Sequence, residues 1–599
     1  MIDIGNHTVM QKTLASSLKK SIKLLNSARI PEAIDYLKQV IKRHPRSTDP
    51  LKLLAEIYMK DTGEMEKAQE YLEKSLSIET NDVISYFHLG LCLEKAKKLN
   101  QAFEAYKKAH FLSPEDGPIL HCIARILNQT KHHAASIFYA KKALEHLPNE
   151  LMLYTDLAYM CHGLGMSTEA YDYYKKAIEL EPDNKTSYSS SIFVAHKVPG
   201  ISHQDLMQLA QGHNQKFIRS KKQDLSFDHS NRYDPNKKQF KLGFVSADFK
   251  RHPAAYTLIS VFEKLNKSKF ELNFYYNNKD EDFMTEKFKK IAHRFNFVQE
   301  LNDETLAQKI NNDQIDILFD LSGFTSGERL AAIAYKPAPL QLTHIGYFGT
   351  LGMPEIDFII ADKTVVKESE EQFYTEKVYK MPHCYTHCNQ DGVPQANKEA
   401  PCLKNGYITF GSFNTFHKIS KQVLISWIEL LNAIPNSKLL FDSRSMMQTS
   451  DLDFFKNFFI ERGITSDRII LRSNIERDDF LNSYNDVDIA LDPFPLSGGS
   501  TTMEALLMGV PVVTITGDKW SGRMSSTLLN TIGHDELITN SVEEYKSKLI
   551  ELAGDQARIQ EYRENLKQDM NKSPLNINQY LPAFEQALLD MWQIKSNSQ

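Results

Sequence analysis

Pro114, Pro148 and Pro182 stand 34 residues apart, and further steps back of 34 and 35 reach Thr80 and Pro45. Twelve residues before each of these positions comes a small residue: Ala33, Ala68, Ala102, Ser136 and Ala170. Twelve earlier again stand Gly90, Ala124 and Ala158, and large side chains recur nearby at Leu72, Tyr106, Tyr139 and Tyr174. A fixed period of this kind decides the architecture before any residue-level reading. Small residues let two helices cross closely, large ones fill the space beside the crossing, and proline stops the second helix before the next pair begins. One helix pair cannot bury its apolar face alone, so neighbours stack into a superhelix with a concave groove.

This is the tetratricopeptide (TPR) pattern. About five units cover residues 14–184, and the repeat domain is placed at 1–184. Such a groove takes extended protein segments and does no chemistry, so it implies a protein partner. The chain then continues for some 400 residues of different character. At 599 residues it is too long for one core. Net charge is −5 with acids and bases interspersed, which gives no sign of a nucleic-acid or membrane-surface partner. The opening MIDIGNHTVMQKTLASSLKK has no apolar core of a signal peptide, and no run approaches a membrane span. Six cysteines (Cys92, Cys122, Cys161, Cys384, Cys388, Cys402) in such a length make no disulfide scaffold. The expected location is the cytoplasm.

Residues 185–238 read as two linker helices followed by the polar stretch SKKQDLSFDHSNRYDPNKK. Short apolar runs then alternate with helical stretches: 241–249, 270–277, 315–323, 340–347 and 357–362, followed by 407–414, 438–443, 468–473, 487–495 and 510–515. Alternation of this kind indicates parallel sheets covered by helices on both faces. Two series predict two doubly wound, Rossmann-like lobes, at 239–385 and 400–572, with a turn around 383–405 between them and a closing helix at 573–599. The fold class is therefore α (a TPR superhelix) plus α/β, with ligands expected at the C-terminal ends of strands. No GxGxxG follows either first strand, which disfavours a dehydrogenase.

Three segments carry candidate chemistry. In DPFPLSGGSTTMEALLMGVPVVT (492–514), Gly498 and Gly499 end a loop that feeds a helix starting near Ser500. The amides of Ser500, Thr501 and Thr502, with their hydroxyls, would make an anion site suited to a diphosphate. Glu504, one turn on, suits a ribose diol. The same residues also read as a simple N-capped helix after a turn. In GSFNTFHKIS (411–420), Lys418 is expected to open a helix where its cation could neutralise a departing diphosphate in place of a metal. A solvated lysine in a first helical turn is the plain alternative, although it would oppose the helix dipole. In SADFKRHPAA (246–255), His252 sits after the lobe's first strand, as donor ligand, acid–base or structural residue. The cluster His383-Cys384-Tyr385-Thr386-His387-Cys388 holds metal-capable side chains but no second ligand pair at zinc-module spacing, so no metal is expected.

These segments, with DILFDLSGFTSGERL, KPAPLQLTHIGYFGTLGMPEIDFIIAD and PLNINQYLPAFEQALLDMW, resemble the O-GlcNAc transferase and SPINDLY family over nearly the whole chain. The resemblance implies a GT-B fold and inverting, metal-independent transfer from a nucleotide-sugar co-substrate to protein serine or threonine, with no other cofactor. It implies that Lys418 binds the diphosphate, that His252 lies near the donor sugar as a candidate base, and that Ser500 and Thr501 hold phosphate. It places Glu504 on the ribose, Ile345-Gly346 beside the sugar, Asn414 and Thr415 before the lysine, and Arg477 against the nucleotide. It also allows a homo-oligomer. Three positions depart from the pattern: Gly499 and Phe480 stand where animal members carry histidine, and Phe324 replaces the histidine of a bacterial GHT motif. The STTMEAL form is nearer the plant and bacterial branch, part of which uses GDP-fucose, whereas the HP motif favours UDP-GlcNAc. The alternatives kept are a protein O-fucosyl- or glucosyltransferase and a non-catalytic TPR adaptor.

Overall fold

A computed structural model describes residues 4–219, 225–443, 449–473 and 476–598; the first residues of the expected polar linker, 220–224, lie outside it. The chain divides into two compact units, one of residues 1–160 with 448–451 and one of 161–447 with 452–599.

The first unit is built of helix pairs: α1 (Ile4–Asn26) with α2 (Ile30–Arg43), α3 (Asp49–Ile57) with α4 (Met65–Ile78), α5 (Val83–Lys95) with α6 (Leu99–Leu112) and α7 (Gly117–Gln129) with α8 (His133–His146). A fifth pair, α9 (Leu151–Gly163) and α10 (Ser167–Leu180), runs across the boundary into the second unit. The five small residues one period apart are fully buried. Gly90, twelve residues before Ala102, has no room for a side chain: a Cβ there would lie 2.4 Å from the Tyr106 ring. Pro45, Pro114, Pro148 and Pro182 each stand two residues beyond the end of a helix, as the missing amide of proline demands.

In the second unit, α11 (Lys185–Ala195) and α12 (His203–His213) precede a seven-stranded parallel sheet. Its strands are β1 (Phe240–Ser246), β2 (Phe270–Tyr276), β3 (Arg294–Phe297), β4 (Ile317–Asp320), β5 (Leu340–Thr343), β6 (Phe358–Ala361) and β7 (Lys377–Lys380), in the order β3-β2-β1-β4-β5-β6-β7. Helices α13 (Pro253–Lys264), α14 (Phe283–Ile291), α15 (Asp303–Asn312) and α16 (Leu330–Ile333) form its crossovers. Phe244 sits between its register partners Phe274 and Phe319, with ring centroids 5.4 and 5.0 Å away. This aromatic ladder fixes the register of the three central strands.

After α17 (Pro401–Asn405), the second lobe is a six-stranded parallel sheet ordered β10-β9-β8-β11-β12-β13. Its strands are β8 (Ile408–Ser412), β9 (Ser437–Ser443), β10 (Ile469–Ser473), β11 (Ile489–Leu491), β12 (Val512–Ile515) and β13 (Ile538–Thr539). They alternate with α18 (Lys421–Ala433), α19 (Thr449–Ile460), α20 (Arg477–Asn482), α21 (Ser500–Leu507) and α22 (Met524–Ile532), and end in α23 (Val542–Ala553) and α24 (Gln556–Lys572). The last helix, α25 (Ile577–Asn597), completes the core of the other lobe. Its Trp592 packs on Phe240 at 5.3 Å and donates its indole N–H to the Asp234 carbonyl at 2.7 Å. The two doubly wound lobes are thus present. The sequence reading omitted β3, β7 and β13, all at sheet edges and only partly buried.

A buried ion pair joins the lobes. Arg523, 2% exposed, forks onto both oxygens of Glu370 at 2.6 and 2.8 Å and donates to the carbonyls of Gly517 and Asp518. Burial pushes the Glu370 carboxyl up, but the guanidinium outweighs it and holds it below its usual value. Replacing Glu370 by alanine leaves a buried charge unpaired, and should lower unfolding free energy by about 3–5 kcal/mol. Urea unfolding at neutral pH measures this, and a loss under about 1 kcal/mol, typical of an exposed pair, would contradict it.

Candidate functional site

Nearly every residue singled out by sequence lies just beyond the C-terminal end of a strand. In both sheets the order reverses around the first strand, between β1 and β4 and between β8 and β11. Crossovers leave in opposite directions there and open a crevice. His252 follows β1, Ile345 and Gly346 follow β5, Asn414 to Lys418 follow β8, Arg477 follows β10, and Gly498 to Glu504 follow β11.

The β11 loop folds around a buried carboxylate. Asp492 accepts the Gly498 amide at 2.6 Å and the Thr514 hydroxyl at 2.6 Å. The turn needs glycine at 498, since a Cβ there would lie 2.3 Å from the Thr502 hydroxyl and 2.8 Å from Asp492. At Gly499 the nearest atom to such a Cβ is the Met524 sulfur, 3.9 Å away, so this position has space. Gly499 precedes α21, and no side chain caps the helix. Its first amides are therefore available to an anion, with the helix dipole behind them.

The hydroxyls are more committed than the sequence reading held. Thr502 shares a hydrogen bond with Ser525 at 2.7 Å and is buried, and Thr501 donates to Asn414 Oδ1 at 2.9 Å. Glu504 is likewise engaged, by the Arg477 guanidinium at 2.9 Å, and that guanidinium lies 4.3 Å from the Tyr256 ring centroid. A cavity of about 310 Å³ opens beside these groups. Of the expected donor-binding residues, Thr415, Arg477, Ser500, Thr501 and Glu504 line it, facing Pro253, Tyr256 and Thr257 of α13. Asn414, Lys418, Gly498 and Thr502 lie behind this lining, in the hydrogen-bond network of the β8 and β11 loops. Phe480 also lines the cavity and packs edge-on against Phe413.

Lys418 does not open a helix. It ends a short 3-10 turn, Phe416–Lys418, and α18 begins three residues later under the Ser420 cap. The opposed-dipole argument therefore does not apply to it. Its ammonium donates to the Ser497 carbonyl at 2.9 Å. Burial pushes its pKa down to about 8, with the Asp492 carboxylate opposing.

His252 is the N-cap of α13 and accepts the Ala254 amide at Nδ1, 3.3 Å away. That contact leaves Nε2 as the proton-bearing nitrogen of the neutral ring. Burial pulls its pKa down, with Asp248 opposing at 3.7 Å. Ile345 has φ +56°, a strained conformation for a β-branched side chain, and the Gly346 amide closes onto the His344 carbonyl at 2.6 Å. No Cβ fits at Gly346, because it would lie 1.9 Å from the Leu321 carbonyl. This pair is not among the cavity's lining residues. Phe324 packs on His213 of α12 and on Tyr347, tying the linker helices to the first lobe. In the 383–388 cluster, His387 bonds the Ser260 hydroxyl at 2.7 Å and Cys384 and Cys388 are buried. Among the described residues no group of three His, Cys, Asp or Glu is placed to hold a metal ion.

Sequence reasoning missed Asp492, Ser497 and Lys197. Asp492 stood in a quoted motif and at a strand end, where a lone acid before a glycine turn was a usable signal. Ser497 acts through its carbonyl, and Lys197 is 35 and 220 residues from the two histidines it contacts, so neither left a local trace.

Residues 198–396 and 389–583 match the glycosyl transferase family 41 model, and 24–89, 83–115 and 153–184 match tetratricopeptide-repeat models. The chain is 29% identical over 428 residues to a probable UDP-N-acetylglucosamine–peptide N-acetylglucosaminyltransferase SPINDLY of Oryza sativa subsp. japonica, covering 70% of this chain and 46% of that protein. It is 28% identical over 378 residues to the probable enzyme SEC of Arabidopsis thaliana, covering 60% and 38%. It thus spans less than half the length of these curated relatives. Among solved structures, a lysine-to-methionine mutant of Thermobaculum terrenum O-GlcNAc transferase is 25% identical with a TM-score of 0.72, over 86% of this chain and 98% of that one.

An anion that needs Lys418 charged binds fully below the lysine's free-state pKa of about 8 and loses affinity as pH rises through it. The limiting slope is about tenfold per pH unit for one proton. Calorimetric titration of UDP between about pH 7 and 9.5 should show this decline; a flat profile would remove Lys418 from the anion site.

Proposed function

The chain belongs to glycosyl transferase family 41, and on that premise we propose that it is a protein O-glycosyltransferase. It moves a sugar from a nucleotide-sugar donor, UDP-GlcNAc by preference, to serine or threonine hydroxyls of a protein acceptor taken by the repeats. The names of the rice and Arabidopsis relatives support the donor and the peptide acceptor. The observation that carries the reading is the Lys418 ammonium, held by the Ser497 carbonyl at the loop that leads into the uncapped start of α21.

The donor lies in the crevice with its nucleoside toward Arg477, Glu504 and Tyr256 and its diphosphate at Lys418 and the first amides of α21. The acceptor oxygen bonds to the anomeric carbon from the face opposite the diphosphate as the carbon–oxygen bond to phosphate breaks and the hydroxyl proton passes to water, so configuration inverts. Negative charge grows on the leaving diphosphate, where a preformed cation and helix amides stabilise it without reorganisation. These groups replace a divalent ion, so the reaction is proposed to need none. His252 could take the hydroxyl proton only by exchanging tautomer, which would cost α13 its cap. We therefore assign it to holding the donor through Nε2–H.

Purified protein is to be incubated with UDP-GlcNAc, UDP-glucose or GDP-fucose and candidate protein acceptors, and read by intact-protein mass spectrometry. A mass gain from UDP-GlcNAc is expected; gain from another donor alone reassigns the sugar, and none from any donor supports an adaptor. Lys418→Ala should lower kcat by about a hundredfold or more, near 3 kcal/mol, with the fold retained; retention of over about a tenth of wild-type kcat defeats the leaving-group role. In the same assay EDTA should leave the rate unchanged, and loss restored by magnesium or manganese would overturn the metal-free reading.

A further inference from the structure

Behind the β8 loop lies a lysine the mechanism has not used. Lys197, on the segment between α11 and α12, is 3% exposed. Its ammonium reaches three acceptors: His162 Nδ1 at 3.0 Å, His417 Nδ1 at 3.2 Å and the His417 carbonyl at 3.4 Å. In the charged form its three protons match three neutral acceptors, and the Phe193 ring closes another side at 5.2 Å. The two imidazoles stack at 5.1 Å.

The surroundings are one-sided in charge. The titratable groups facing Lys197 are His162 from α9, and His417 and Lys418 from the β8 loop; His196 beside it on the chain bonds Tyr347. Among the described residues no carboxylate pairs with Lys197, and the Asp492 carboxylate faces Lys418. Burial, then the Lys418 charge, push its pKa well down. Burial likewise pulls both histidines down, so neither compensates. A cation so deeply desolvated is ordinarily paired, and here the carbonyl that holds it belongs to the peptide leading into Lys418.

We infer that Lys197 is a positioning residue of the diphosphate site, a buried amine whose charged form finds its counter-charge in the donor's diphosphate, so that donor binding draws a proton from solvent onto it. The inference rests on the donor-site reading above. Lys197 acts through His417 and through its field, orienting the Lys418 loop and adding charge without touching the nucleotide.

UDP, as probe, is titrated calorimetrically into wild type, Lys197→Met and Lys197→Arg at several pH values, in phosphate and in Tris, whose ionisation enthalpies differ. Wild type should take up more protons per UDP near pH 8 than Lys197→Met, in which the Lys418 contribution remains. Lys197→Met should bind at least about tenfold more weakly at pH 7, a difference of about 1.4 kcal/mol. The ratio of the two affinities should shrink as pH rises, because wild type loses the charge that the variant never had. Lys197→Arg, permanently charged, should keep affinity while losing the extra proton uptake. A merely structural lysine would give a ratio constant with pH and unchanged uptake, and that result overturns the inference. Thermal melts identify a misfolded variant, in which case proton uptake by wild type decides: uptake no larger than Lys418 alone supplies, judged with Lys418→Gln, also overturns it. If wild type binds neither UDP nor GDP, the donor-site reading itself falls, and this inference with it.

Discussion

One carboxylate organises the crevice side of the second lobe. Asp492 is buried at the end of β11, where burial pushes its pKa up and hydrogen bonds with the Lys418 charge oppose the shift. It joins three parts of the chain: the Gly498 amide in its own loop, the Thr514 hydroxyl on β12, and Lys418 from the β8 loop. Its backbone carbonyl accepts the Tyr545 hydroxyl from α23 at 3.2 Å. The turn at 498 is pulled tight enough to exclude any side chain, and the next residue, Gly499 at the N-cap of α21, has no side chain to cap the helix. A helix end stripped of its own partners is costly unless something else supplies them.

The buried cations of this lobe pair follow two designs. Arg523 has a forked carboxylate and three carbonyls, so its charge is matched within the protein and it serves to join the lobes. Lys418 and Lys197 have carbonyls and imidazoles as contacts, with Asp492 facing only the first. Matched charge is rigid and indifferent to ligands; unmatched charge stores a preference for an anion. The difference separates a cation that holds the lobes from two that, in the proposed reading, await the donor's diphosphate.

The repeats were legible because their period is set by volume: Ala33, Ala68, Ala102, Ser136 and Ala170 are small and fully buried. Central strands were legible as apolar runs, whereas Arg294–Phe297 and Lys377–Lys380 are edges with one flank solvated, and their composition carries little signal. The position of Lys418 was readable from its motif, but its local backbone was not, because a 3-10 turn and a first helical turn have similar sequences. The competition for the hydroxyls of Thr501 and Thr502 comes from Asn414 and Ser525, which only the tertiary fold brings near. The tautomer of His252 is likewise set by a cap that the HP dipeptide alone does not declare.

The turn between α9 and α10 carries a consequence for how such chains diversify. Gly165 has φ +74°, and a Cβ on it would stand 2.1 Å from the Ile419 carbonyl, one residue past Lys418. His162, three residues earlier, holds Lys197. The last repeat is therefore a fixture of the lysine loop as much as a member of the array. The final turn must therefore travel with the lobes. In recombination among arrays of different length, the turn around Gly165 would thus be inherited with the lysine loop it abuts.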